Sequence, residues 1–191
     1  MLDLIALITI MIWPVVPLFW IPVHGLSKIF KRIGLLTYIL PAVSWPPLAY
    51  IIYLNRDALL RYKMGFPLFL NITGLVLLIA GTLLHLWTGR LLSLWGLMGL
   101  PEVSPKVKGR LVTDGPYSVV RHPTYLAHTL MFSGIFLLTA VAAVGVVTLL
   151  DVLVMNAVVI PLEDRELLGR FGREYEEYKK RVPGFFPKLF R

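Results

Sequence analysis

The stretch RHPTYLAHTLMFSGIFLLTAVAAVGVVTLLDVLVMNAVVIPLED, Arg121 to Asp164, decides the fold class. Its apolar part, Tyr125 to Leu162, is too long for one helix across a hydrocarbon core about 30 Å thick, which needs roughly 20 residues. Small residues interrupt it near the middle, AVAAVG from Ala140 to Gly145, so it reads as a hairpin of two rather short membrane helices with its turn near residue 142. Arg121 and His122 precede the first arm, and Glu163, Asp164 and Glu166 follow the second. The hairpin therefore brings cations and anions to one membrane surface.

Three more apolar runs come before it: Leu4 to Val23, Gly34 to Leu54, and one from near Phe66 to at least Trp87 and at most Leu100. Prolines 14, 17 and 22 in the first and 41, 46 and 47 in the second are tolerated in membrane helices and predict bends. The N-terminus lacks the basic region and small-residue cleavage site of a signal peptide, so the first run is expected to persist as a membrane helix. A hydrophobic fraction of 57% and a mean hydropathy of +0.75 fit such a chain and not a soluble domain. The expected fold is all-α and polytopic, about five transmembrane helices with the last two as a helical hairpin, plus an amphipathic C-terminal helix. Residues 1–100 supply three N-terminal transmembrane helices and residues 101–191 the region with the polar cluster, in one integral membrane domain.

A net charge of +8 would suggest nucleic acid in a soluble protein, but here Lys and Arg flank apolar runs, where they set orientation. No nucleic-acid partner is expected. Lys28, Lys31 and Arg32 lie after the first run, Arg90, Lys106, Lys108, Arg110 and Arg121 lie between residues 88 and 122, and eight more follow Leu162. Five spans put all three groups on one face, expected to be cytoplasmic, against Arg56, Arg61 and Lys63 on the other. The chain has no cysteine, which excludes disulfides, thiolate metal sites and a cysteine nucleophile. His24, His85, His122 and His128 show no metal-ligand spacing, so no metal is expected. GxGxxG, GxxxxGK[ST] and GxSxG are absent, removing Rossmann dinucleotide binding, P-loop phosphoryl transfer and serine hydrolysis.

Pro123 suits the first turn of a helix. It sets Arg121 and His122 at the helix start, where unpaired backbone N–H groups and the guanidinium suit an anion. GPY at 115–117 is a turn that brings Tyr117 back to this opening. Singly, each residue has a plain structural role: Arg121 an orientation anchor, His122 a cap, Glu163 or Asp164 a helix-end ion pair worth roughly 1 kcal/mol or less. Their convergence beside a 35-residue polar segment, 88–122, favours a site. Deeper in the hairpin, a turn near 142 sets His128 level with Asn156 and Ser133 level with Asp151. Interhelix hydrogen bonds are their expected role, and catalysis by His128 or Asp151 the less favoured one. In the tail EDRELLGRFGREYEEYKKRVPGFFP, residues 163–187, Leu167, Leu168, Phe171, Tyr175 and Tyr178 recur at helical spacing until Pro183. A membrane-surface anchor is the first expectation for it, and folding over the loop the second.

The segments GRLVTDGPYSVVRHPTYLAHTLMFSG and, after the hairpin, EDRELLGRFGREYEEYKKRVP resemble the isoprenylcysteine carboxyl methyltransferase family of integral membrane enzymes, to which the phospholipid methyltransferases are related. The resemblance covers about the last 90 residues, and RHPxY together with FGxxYxxYxxRVP is its specific part. It implies that residues 101–191 are a catalytic region using S-adenosylmethionine, with S-adenosylhomocysteine as product. By matching position, Glu102, Gly109, Arg110, Leu111, Val112, Tyr117, Arg121, His122 and Glu163 are implied to line the cofactor pocket, with Arg121, His122 and Glu163 also implied as catalytic. The implied acceptor is lipid-like, the carboxylate of a C-terminal S-isoprenylcysteine entering from the bilayer. Membrane lipids are the other implied partners, and no obligate protein partner is implied.

A carboxylate with a pKa of about 3.5 is ionised at neutral pH, so its methylation needs alignment and desolvation but no general base. One position departs from the family pattern. Eukaryotic members carry a basic residue thought to face the acceptor carboxylate near the end of the last span, where this chain has Val159, with Asn156 one turn back. A phospholipid amine or another amphipathic acid stays open as acceptor, and an amine would require a base, for which His122 is the nearest candidate. Two readings from other classes are an NADPH-dependent membrane reductase of the steroid reductase kind, and a non-enzymatic transporter or scaffold with His128, Asp151 and Asn156 as a polar path.

Overall fold

The computed structural model describes residues 1–104, 106–107 and 109–187. Lys108, Lys188 and Arg191, counted above among the orientation charges, lie outside the described residues. The first span is two helices, α1 (Leu2–Ile12) and α2 (Val15–Gly25). They break at Trp13 and Pro14 because proline has no N–H for the helical ladder. The second combines α3 (Ser27–Ile33), a 3-10 turn over Gly34–Tyr38 and α4 (Ile39–Leu54). Residues 27–33, part of a loop in the sequence reading, are thus helical, and Gly34 at φ 67° makes the change of direction. Next come α5 (Arg56–Arg61), the 30-residue α6 (Leu68–Leu97), kinked at Ser93, and α7 (Leu100–Val103).

The hairpin consists of α8 (Pro123–Thr139) and α9 (Ala142–Val154), joined through Ala140 in the left-handed region. Its second arm does not stop at Leu162. A π turn over Met155–Val159 leads directly into α10 (Ile160–Phe171), and Gly172 at φ 57° separates this from α11 (Arg173–Arg181). Four helical runs are long and apolar enough to cross a membrane: Leu2–Gly25, Ser27–Leu54, Leu68–Val103 and Ala142–Phe171. The 17-residue α8, roughly 26 Å long, is shorter than these, as the sequence predicts for a hairpin arm.

Helices α6 and α8 lie close together because glycines face each other. A Cβ at Gly134 would stand 2.6 Å from the Gly74 carbonyl oxygen, and one at Gly81 would stand 2.8 Å from that of Ala127. Such small-residue contacts hold membrane helices together by close packing. On another face of the hairpin, Ile135, Val141, Val144 and Val147 pack with Ala6 and Ile10 of α1. Asp151 is fully buried there. It accepts hydrogen bonds from Trp13 Nε1 at 3.1 Å and Thr129 Oγ1 at 3.3 Å. The expected interhelix pairing holds for Asp151, but with Thr129 in place of Ser133. The turn centres on residue 140 and not 142, which shifts the partner by one helical turn. His128 does not pair with Asn156, whose Nδ2 donates instead to the Val152 carbonyl at 2.8 Å.

Candidate functional site

One cavity of about 280 Å³ opens between the segment after α7, the start of α8, α10 and α11. Glu102, Gly109, Arg110, Leu111, Val112, Tyr117, Arg121, His122 and Glu163 all line it. So do Trp20 of α2 and His85, Leu92, Gly96 and Leu97 of α6. The first 100 residues therefore contribute to the wall as well as supporting it.

The polar end is organised by a residue the sequence reading left out of the site, Asp164. Its Oδ2 is 2.8 Å from both Arg121 Nη2 and Lys179 Nζ. Its Oδ1 is 2.9 Å from His122 Nε2 and also accepts from the Tyr175 hydroxyl. Glu163 Oε2 stands 3.1 Å from His122 Nδ1. Burial alone would depress the His122 imidazole, but Glu163 and Asp164, one at each ring nitrogen, raise its pKa to about 9. His122 is thus an imidazolium at neutral pH, with both protons committed. It cannot serve as the base that an amine acceptor would require.

Arg121 is similarly engaged. Besides Asp164, its Nη1 donates to the carbonyls of Val182 at 2.6 Å and Lys179 at 3.4 Å. The backbone N–H groups of Arg121 and His122 donate to the carbonyls of Pro183 and Gly184 at 2.8 and 3.0 Å. The helix start expected to receive an anion is therefore clasped by the chain's own tail. That tail folds over the site: Tyr175 and Tyr178 are buried, and the Tyr178 hydroxyl donates to the Tyr117 carbonyl at 2.6 Å. The second expectation for the tail, folding over the loop, holds.

Other groups on the wall stay uncommitted. Glu102 Oε1 accepts from Arg170 Nη2 at 2.6 Å, while Glu102 Oε2 is buried with no hydrogen-bond partner. Among the described residues, no backbone hydrogen bond joins 109–113 to another segment, so this stretch brings free backbone donors and acceptors to the cavity. Gly109, at φ 70°, adopts a conformation that disfavours side chains. Among the described residues there is no cluster of side chains fit to hold a metal ion.

The family model for phospholipid methyltransferases matches residues 69–174, a little over half of the chain. The chain belongs to the phospholipid methyltransferase family. It is 36% identical over 114 residues to the cobalt-zinc-cadmium resistance protein CzcN of Cupriavidus metallidurans, covering 54% of this chain and 52% of that protein. Methanethiol S-methyltransferase 2 of Bradyrhizobium diazoefficiens is 36% identical over 77 residues, 39% of this chain and 27% of the relative. Protein-S-isoprenylcysteine O-methyltransferase B of Arabidopsis thaliana is 35% identical over 80 residues, 41% of this chain and 40% of the relative. The chain thus spans about half, or less, of the curated relatives it matches. No solved structure matches. This protein is a multi-pass, all-α membrane protein, and its cavity lies mostly within the matched residues.

The wall fits the methyl donor of such enzymes on two observations. An adenosine and an amino-acid moiety present many hydrogen-bonding edges, which the free backbone of 109–113 can meet. An ammonium or hydroxyl donor suits the unpartnered Glu102 oxygen.

Proposed function

We propose that this protein methylates an amphipathic acceptor taken up from the bilayer, using S-adenosylmethionine held in the cavity. The observation that supports the reading most is the convergence of nine positions spread from residue 102 to residue 163 on one wall. When bound, S-adenosylmethionine supplies an electrophilic methyl group on a sulfonium. Glu102 and the backbone of 109–112 would hold its polar edges, and the Tyr117 ring would pack on its adenine or sulfonium. Arg121 and His122 act through Asp164 and Glu163: they lock the tail across the cavity and exclude water, so that donor and acceptor meet in line and desolvated. The Lys and Arg pattern supports a cytoplasmic position for this end of the protein.

The C-terminal resemblance makes a prenylated cysteine carboxylate the first acceptor to test. The buried Val159 packs with Tyr125, Met155, Ile160 and Phe185 and brings no cation to the acceptor side, which argues for testing other nucleophiles beside it. The experiment supplies purified protein in lipid nanodiscs with methyl-labelled S-adenosylmethionine and, separately, S-farnesylcysteine, phosphatidylethanolamine and a long-chain alkanethiol, with NADPH oxidation followed in parallel. Label entering one acceptor class is the expected result. NADPH oxidation without methyl transfer would overturn the reading in favour of a reductase.

A further inference from the structure

Two histidines at the membrane side of the cavity have no part in the arrangement around Asp164. His128 of α8 and His85 of α6 both line the cavity, and their ring centroids are 5.1 Å apart. Along α8 the rings of His122, Tyr125, His128 and Phe132 follow one another at centroid separations of 5.9, 6.5 and 6.3 Å. Six residues beyond His122, His128 lies about 9 Å deeper along the helix. Its setting is the reverse of that of His122. Among the described residues neither His85 nor His128 is paired with a carboxylate, and Nδ1 of each is buried without a hydrogen-bond partner, whereas Nε2 is not among the buried unpartnered atoms. An imidazole with no counter-ion inside a membrane is neutral and keeps one nitrogen lone pair.

We propose that His128 is a catalytic base at the acceptor end of the cavity and that the acceptor is a thiol. This rests on the methyl-transfer reading and names the nucleophile within it. The other histidine on the wall beside the acidic residues, His122, is already protonated on both nitrogens. The cationic residues of the wall, Arg110, Arg121 and Arg170, belong to the segments at the polar end, so a carboxylate acceptor meets no cation beside His128. An aliphatic amine is an ammonium at neutral pH and would have to enter this end as a cation with no carboxylate to receive it, whereas a thiol enters neutral. A thiol leaves a neutral thioether, able to return to the bilayer, and its sulfur suits the aromatic surroundings of Trp20 and Tyr125.

In the step itself, the S–H bond breaks and its proton passes to His128 Nε2. The sulfur electron pair forms the S–CH3 bond as the donor's methyl–sulfonium bond breaks, and that bond's electron pair stays on the departing thioether. One positive charge is present before the step, on the sulfonium, and one after it, on His128. The total charge of the cavity is unchanged, and because burial without a counter-ion disfavours the imidazolium, His128 gives up its proton before the next turnover.

The test compares the wild type with His128→Gln in nanodiscs, using two acceptors: a long-chain alkanethiol, mostly protonated at neutral pH, and an aromatic thiol of low pKa, already ionised. Positioned base catalysis is worth about 100-fold or more. His128→Gln is expected to slow methylation of the alkanethiol by about 100-fold and that of the ionised thiol by less than about 10-fold, with S-adenosylhomocysteine binding unchanged. A second readout needs neither turnover nor variant. Alkanethiol added to the wild type with S-adenosylhomocysteine in place of the methyl donor should shift the nitrogen-15 signal of His128 through a hydrogen bond from the S–H group, and no shift would overturn the proposal. Equal slowing of both thiols would also overturn it. Methylation of S-farnesylcysteine but of neither thiol would overturn the thiol assignment and leave the methyltransferase reading intact, whereas folded protein that binds no S-adenosylhomocysteine would overturn both.

Discussion

Asp164→Asn removes the single negative charge that joins α8, α10 and the tail. Two of its partners are buried cations: the Arg121 side chain is 8% exposed and that of His122 is 2% exposed. Removing one member of a buried ion pair costs about 3–5 kcal/mol, because the remaining charge is left uncompensated. Lys179 is about half exposed and adds little. Glu163 still faces His122 Nδ1 at 3.1 Å, so the imidazolium keeps one partner and the expected loss lies near the lower end, about 3 kcal/mol. For a chain of this length that corresponds to a fall in Tm of about 6–12 °C. The assay is thermal unfolding in detergent followed by tryptophan fluorescence, with Tyr175→Phe as companion. That variant removes one neutral donor from the same carboxylate and should cost less, near the lower end of the about 1.5–3 kcal/mol of a hydrogen bond to a charged group. An Asp164→Asn loss no larger than that of Tyr175→Phe would refute the view that Asp164 neutralises two buried cations.

Because the folded pKa of His122 stands above its ordinary 6.5, at about 9, its contribution to stability is complete below about 6.5 and is lost as pH rises through about 9; Tm in detergent should fall across that window in the wild type and less steeply in His122→Gln. Gly134→Ala, which sets a methyl group against the Gly74 carbonyl, should lower Tm by an amount equivalent to about 1–3 kcal/mol. Asp151→Asn keeps one acceptor for Trp13 and an amide N–H that the Thr129 hydroxyl can accept, and it lies outside the cavity, so methyl transfer should be unchanged; a large loss of function there would favour the transporter reading. Lys106→Ala, at an exposed position of the segment after α7, should leave S-adenosylhomocysteine binding unaltered, as measured by calorimetry.

The parts of this architecture carried by local sequence were legible, and the parts that depend on side-chain direction were not. Helix class and span lengths follow from apolar runs, and the grouping of Arg121, His122 and Glu163 follows from a hairpin returning to its own surface. The central place of Asp164 does not, since in sequence it is only the second of two adjacent acids. Its aim depends on the π turn over Met155–Val159, which hydropathy cannot reveal. The tail looked like a surface anchor because its tyrosines are amphipathic in isolation. What draws them inward is a buried carboxylate and a backbone carbonyl, partners 11 and 61 residues away. Nothing in the sequence pairs His85 with His128; they meet because glycines let α6 and α8 approach.

The central claim, that the cavity beside His122 holds S-adenosylmethionine, is tested most directly by calorimetric titration of S-adenosylhomocysteine into the detergent-solubilised wild type and Glu102→Gln, with NADPH as comparison. A hydrogen bond to a charged group contributes about 1.5–3 kcal/mol. The account predicts saturable binding that weakens by about 10-fold or more in Glu102→Gln, and no saturable heat from NADPH. Folded wild-type protein that binds NADPH alone, or neither nucleotide, would contradict it.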